Sequence, residues 1–182
     1  MQNSVALDIG CGSGVHANMI AEEGARVVAF DGSPSAIKHA SAMHNHDRIT
    51  YLVASLQSFQ PLQHRFDLTV DRLASTYATR DAVRTFYQSL RPHLSGNARL
   101  FWQGFDPENS GRSLGQFDSE AQIWTGFESG VFARADTIYF FSEDDLNNVF
   151  EGYRFTAKRM IVDTDLQSGY RHSYWSLELA PS

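Results

Sequence analysis

The chain has 182 residues, about one domain's worth, and its 42% hydrophobic and 20% charged content excludes intrinsic disorder as the organising state. Fifteen basic against twenty-one acidic side chains leave a net charge of −6, which argues against a general polyanion binder such as a nucleic-acid protein. One cysteine excludes an internal disulfide framework and fits a reducing compartment, and no apolar run approaches the ~20 residues of a membrane span. With no basic-plus-apolar signal pattern at the N-terminus, the expectation is a single cytoplasmic domain over residues 1–182.

Taken in chain order, Val5-Ala6-Leu7-Asp8-Ile9 reads as a buried strand, ended by Gly10-Cys11-Gly12-Ser13-Gly14. Residues 15–23 suit a helix, with Gly24 placed as a C-terminal stop. Residues 26–30 form a second strand closed by Asp31-Gly32. Ser33-Pro34 then starts a helix: Ser is a strong cap and Pro fits the first helical position. Ala36, Ile37, Ala40 and Met43 fall on one face of it. Residues 49–54 and 66–70 read as strands three and four, residues 79–90 as an amphipathic helix, and 98–103 as strand five. Strands alternating with helices imply parallel crossovers. Residues 105–136 have no clear period and read as an insertion or lid. After them, 143–150 suits a helix capped by Ser142 with Asp145 three residues on. Residues 154–162 and 171–179 suit an antiparallel pair, because their connection is too short for a crossover helix.

The glycine loop follows a strand and opens a helix, so its backbone N–H groups face a crevice at the strand's carboxyl end. A dinucleotide loop spaces its glycines G-x-G-x-x-G; here the third arrives one residue early. Asp8 stands two places before Gly10, where a pyrophosphate would be repelled. The site therefore suits a nucleoside without phosphate that carries positive charge, as S-adenosylmethionine does. Asp31, at the tip of strand two, can accept both ribose hydroxyls.

Residues 5–40 resemble the opening of the class I S-adenosylmethionine-dependent methyltransferases, through Leu7-Asp8-Ile9-Gly10-Cys11-Gly12-Ser13-Gly14 and Gly24-Ala25-Arg26-Val27-Val28-Ala29-Phe30-Asp31. The resemblance runs more loosely along nearly the whole chain. It is nearest to small-molecule members of the tellurite-resistance and thiopurine type, which end in two strands after a helix. It implies an α/β, Rossmann-like, doubly wound seven-stranded sheet, mainly parallel with an antiparallel C-terminal strand. It puts Gly10, Cys11 and Gly12, with Ser13 beside them, against the methionine portion of the cofactor and Asp31 on the ribose. Asp8 would order the loop and approach the ammonium, and Gly32 and Ser33 would lie beside the adenosine. The family often carries an Asp after strand three for the adenine amino group; Ser55 stands there instead, so its hydroxyl or the Leu56 N–H takes that place. Only four residues precede the first strand, whereas relatives carry a covering helix there. That cover is absent, or comes from residues 105–136, or from a second subunit in a homodimer, or the chain is a truncated form.

The remaining residues carry two readings each. Asp71 faces the cofactor ammonium and Arg72 an acidic substrate, or the two form a local ion pair at the end of strand four. Tyr77 touches substrate or packs. Trp124, Phe127 and Phe132 wall an acceptor pocket or belong to a core. His39, His44 and His46 suggest a metal, but a solvated helix end suits them better, and no metal is expected. Cys11 has no evident base beside it and reads as a packing residue. His172 is a second candidate base, with Asp71, for an acceptor that holds a proton.

The function expected is methyl transfer from S-adenosylmethionine to a small-molecule acceptor by in-line displacement, with S-adenosylhomocysteine as product. The alternative is a non-catalytic module that keeps the cofactor pocket as a partner or sensor. An NAD-dependent oxidoreductase would need the other glycine spacing. A nucleic-acid methyltransferase is disfavoured, because the chain is acidic and carries no Asn/Asp-Pro-Pro-aromatic motif for a flipped base.

Overall fold

The computed structural model describes residues 4–61, 65–133 and 135–182. Its first half is β1 (Val5–Ile9), α1 (Val15–Glu22), β2 (Arg26–Asp31), α2 (Pro34–Met43), β3 (Ile49–Val53), β4 (Phe66–Arg72), α3 (Arg80–Leu90) and β5 (Leu94–Phe105). Three short strands follow, β6 (Gln116–Asp118), β7 (Ile123–Thr125) and β8 (Thr137–Ile138). The chain closes with α4 (Glu143–Val149), β9 (Tyr153–Thr164) and β10 (Arg171–Pro181).

Seven strands form one sheet in the order β3-β2-β1-β4-β5-β10-β9. β1, β2, β3, β4 and β5 run parallel, and β10 inserts antiparallel to both β5 and β9. The expected doubly wound sheet with an antiparallel last strand is therefore observed. Its order reverses between β1 and β4, and a ligand crevice in such sheets lies outside the carboxyl ends of the strands at that point.

The two faces are packed differently. On one, Ala17 and Ala21 of α1 pack against the small residues Ala6 and Ala29 of the sheet, with Ile20 and Ile37 at the margin. On the other, Phe86 and Tyr87 of α3 and Phe150 at the end of α4 pack with Phe30, Phe66 and Trp102 of the sheet. Each such aromatic contributes roughly 1.5–3 kcal/mol by leaving water, so this second face supplies most of the core. Helix starts follow the sequence. Ser33 Oγ accepts from the Ala36 N–H at 3.3 Å, and Ser142 and Asp145 close a reciprocal capping box. Thr79, expected as the first residue of its helix, is instead the cap of α3.

Residues 105–133 and 135–140 hold more structure than the lack of period over 105–136 implied. β6, β7 and β8 make a small antiparallel sheet over a cluster of Phe105, Phe127, Phe132, Ile138 and Phe140. Strands of two or three residues are too short to display alternation in a sequence. β5 also begins earlier than expected, at Leu94, where its pairing with β4 shifts register between Phe66 and Leu68. Among the described residues no helix is long and apolar enough to cross a membrane.

Trp102 joins the layers. It is fully buried, meets Phe141 and Phe150 edge-on, and donates from Nε1 to Ser75 Oγ at 2.7 Å. Trp102→Phe removes that bond and leaves space behind it. The expected cost is about 1–3 kcal/mol, read as a lower urea midpoint with an unchanged slope. A midpoint equal to the parent's would show that the indole contributes nothing there.

Candidate functional site

At the end of β1 the chain turns through three left-handed glycines, Gly10, Gly12 and Gly14. A Cβ on Gly10 would lie 2.2 Å from Ala74 Cβ, so no other residue fits between the loop and the segment after β4. A Cβ on Gly12 would meet nothing within 4 Å and would stand in open space. The loop is tied to β2, where the Cys11 N–H donates to the Phe30 carbonyl at 2.9 Å. Asp31 completes the tie: its carboxylate accepts from the Gly12 N–H at 3.0 Å and the Ser33 N–H at 2.8 Å. Two bonds leave about half of a carboxylate's four acceptor positions for a ligand.

Asp8 points to the α1 face and is 2% exposed, and its Oδ2 has no hydrogen-bond partner. Burial pushes its carboxyl up to about 7, aided by the negative charges of Asp71 and Asp31 and opposed by the Ala17 N–H. A buried polar atom left unpaired is costly and calls for a ligand donor.

Asp71 differs from both readings made of it. It neither opens into the crevice nor pairs with Arg72. Neighbours on a strand face opposite sides, and Asp71 faces α3, where it is 1% exposed. It accepts from the Tyr87 hydroxyl at 2.6 Å and from the N–H groups of Ala74 and Ser75 at 2.9 and 3.2 Å. Burial outweighs these bonds and raises its carboxyl to about 6. Arg72 projects the other way, exposed, with Nη1 3.4 Å from His16 Nε2. Leu73 then takes φ 66°, a left-handed turn that costs a non-glycine residue about 1–3 kcal/mol.

Two adjoining cavities result. The larger, about 610 Å³, is bordered by Phe30, Asp31, Gly32, Ser55, Leu56 and Tyr77 among others. The smaller, about 420 Å³, is bordered by Asp8, Cys11, Gly12, Ser13 and His16. Ile9, Gly10, Arg72 and Leu73 border both. Most of the expected site residues are thus brought together. Ser33 stands behind Asp31 and contributes through its N–H. Ser55 is engaged with Ser58, whose hydroxyl accepts the Ser55 N–H at 2.8 Å. Tyr77 is exposed at the rim.

Trp124 and His172 border neither cavity. Trp124 packs on Phe117 and Phe140 beneath the Arg112 guanidinium, and the His172 ring meets Phe105 and Tyr174. Phe127 and Phe132 are core. Burial pushes the Cys11 thiol to about 12, which keeps it protonated and suits a packing residue. Among the described residues no three His, Cys, Asp or Glu groups are arranged to hold a metal; His46 instead accepts the Arg48 N–H. His16 and Leu73 were not anticipated. His16 sits in the first turn of α1, a position that faces the crevice whenever a glycine loop opens a helix.

The model of the methyltransferase-domain family matches residues 6–95, from β1 to the first residues of β5. Among curated proteins, the chain is 25% identical over 136 residues to a ribosomal protein L11 methyltransferase from Campylobacter fetus subsp. fetus. That match takes in 72% of this chain and 48% of the relative, so the chain spans about half the length of the curated relative it matches. An S-adenosylmethionine-dependent methyltransferase from Methanosarcina mazei shares the fold with a TM-score of 0.78 at 16% identity, over 100% of this chain and 93% of that one. A 1,6-didemethyltoxoflavin-N1-methyltransferase from Burkholderia thailandensis, solved with 1,6-didemethyltoxoflavin and S-adenosylhomocysteine, gives 0.71 at 16%, over 100% and 72%. The matched family and the shared fold agree with the expectation of an S-adenosylmethionine-dependent methyltransferase.

The two raised carboxyls have a consequence for stability. Asp8 and Asp71 hold protons more tightly folded than unfolded, where their ordinary value is 3.8. Their linkage therefore stabilises the ligand-free protein at low pH and is lost as pH rises through about 6 and 7. Asp8→Asn should flatten this dependence and stabilise the ligand-free protein above pH 7 by on the order of 2–4 kcal/mol. Melting curves from pH 5 to 8 test it; parallel profiles for parent and variant would show that Asp8 is not desolvated.

Proposed function

We propose that the crevice binds S-adenosylmethionine and that the chain transfers its methyl group to a small-molecule acceptor. The observation that carries this reading is the pair of carboxylates flanking the glycine loop. Asp31 is anchored with acceptor capacity to spare, and Asp8 is buried with an unpaired oxygen. A ligand with phosphates would meet two negative charges here, whereas a ribose diol and an ammonium would satisfy both. The bound cofactor would supply a methyl group already activated on a sulfonium.

The chain's own task is then binding, alignment and exclusion of water. Asp31 would hold the ribose, Asp8 the ammonium, and Phe30 and Leu56 the apolar walls around the adenine. Of the three candidates for a catalytic role, Asp71, Tyr77 and His172, Tyr77 is the one that borders either cavity. We assign it to acceptor contact, since Asp71 is committed to Tyr87 and the turn after β4. A small acceptor is supported by the chain's acidic charge and by the neighbour solved with a small heterocycle. The closing β9–β10 pair supports the tellurite-resistance and thiopurine type, and the single buried cysteine suits the cytoplasm.

Thermal melts with S-adenosylmethionine, S-adenosylhomocysteine and NAD test the cofactor. At a hundred times its dissociation constant a ligand adds about 2.7 kcal/mol, or roughly 5–10 °C for a chain this size. Both adenosyl compounds should shift the midpoint and NAD should not; the reverse would sink the reading. Asp31→Ala should weaken S-adenosylhomocysteine by about 1.5–3 kcal/mol while the protein stays folded, and an unchanged affinity would remove Asp31 from the ribose. Release of S-adenosylhomocysteine with a panel of small nucleophiles separates an enzyme from a module that binds the cofactor without turning it over.

A further inference from the structure

Among the described residues, β9 closes one end of the large sheet and pairs with β10 alone. Its outer edge presents backbone N–H and C=O groups to which another strand can add. Proteins that stay monomeric blunt such an edge with a short strand, a proline or a charge that clashes. β9 has 12 residues and no proline. Its charges need not clash, because they flank an apolar run: Arg159-Met160-Ile161-Val162-Asp163. Val162 is 44% exposed, and Arg159 and Asp163 are exposed on either side of the run.

Side chains alternate along a strand, so Arg159, Ile161 and Asp163 share one face and Met160 and Val162 the other. A two-fold axis perpendicular to the sheet sets each residue opposite one of the same face. With Ile161 on that axis, it meets its own copy, Met160 meets the partner's Val162, and Arg159 meets the partner's Asp163. Every apolar side chain then faces an apolar one, and both cations face anions. The next register in either direction would set Ile161 against Arg159 or Asp163 instead. Both charges are within reach of a partner: Arg159 Nη1 touches Glu178 Oε1 at 3.3 Å on the exposed surface, and Asp163 makes no ion pair among the described residues.

We propose that two copies of the chain associate through β9, joining two seven-stranded sheets into one of fourteen strands. The axis reverses strand direction, so the crevices beyond β1 and β4 open at opposite ends of the joint sheet. Neither copy covers the other's crevice.

Light scattering of the full chain, with sedimentation equilibrium for the dissociation constant, tests this. The parent should weigh twice one chain. Arg159→Asp sets aspartates opposite one another at both ends of the pairing, and Asp163→Arg does the same with arginines. Each should raise the dimer dissociation constant by about tenfold or more, with circular dichroism showing each variant folded. Mixed in equal amounts, the two variants place opposite charges together again and should regain most of the parent's association. A parent that stays monomeric at millimolar concentration overturns the proposal. So does a dimer that both variants leave intact, or a mixture of the folded variants no more associated than its components.

Discussion

The crevice exists because one buried carboxylate holds its far wall in place. Asp71 closes β4 and gathers the Tyr87 hydroxyl from α3 and the N–H groups of Ala74 and Ser75 from the turn that follows. Tyr153, at the start of β9, donates in turn to the Tyr87 carbonyl at 2.6 Å, and Trp102 reaches Ser75 from β5. Four elements thus fix the same short turn. Ala74 on that turn leaves no space for a Cβ on Gly10, so the wall and the glycine loop set each other's position. The left-handed Leu73 is affordable only in that frame, since strain at one residue persists where its surroundings over-determine it.

The same frame concentrates negative charge. Asp8, Asp31 and Asp71 end or nearly end three adjacent strands, and Asp31 and Asp71 both raise the proton affinity of Asp8. Solvation differs among them. Asp71 is satisfied by protein donors, Asp31 is half satisfied and faces the cavity, and Asp8 keeps one oxygen unpaired. The gradation assigns roles without reference to relatives: a structural hub, a shared anchor and a vacant acceptor. A cationic ligand would relieve the last of these, which links binding and stability in one term.

How much of this the sequence disclosed follows the range of the interactions involved. The glycine loop, Asp31 and the caps at Ser33 and Ser142 are local: each acts within a few residues, so spacing and residue type suffice. The antiparallel pairing of β9 with β10 was legible because a six-residue connection excludes a crossover helix, whereas the insertion of β10 beside β5 followed from the resemblance alone. Asp71 was not, because its partner Tyr87 is sixteen residues away, on the buried face of α3. Trp124 and His172 were placed by residue type near a pocket, but tertiary packing drew them into the Phe105–Phe140 cluster. The short strands β6 to β8 gave no period because two or three residues cannot show one.

This division matters for the proposed chemistry. An in-line displacement at an activated methyl group asks more of geometry than of acid–base catalysis, and the glycine loop on the donor side is set against the turn that the network around Asp71 fixes. The acceptor side is built otherwise. Tyr77, which we assign to it, is exposed at the rim of the larger cavity, outside that network. A site with a rigid donor half and a surface-borne acceptor half can change its acceptor through a few rim substitutions without disturbing the core. The identity of the acceptor is therefore written in side chains that carry little of the folding energy, which is why neither composition nor periodicity disclosed it.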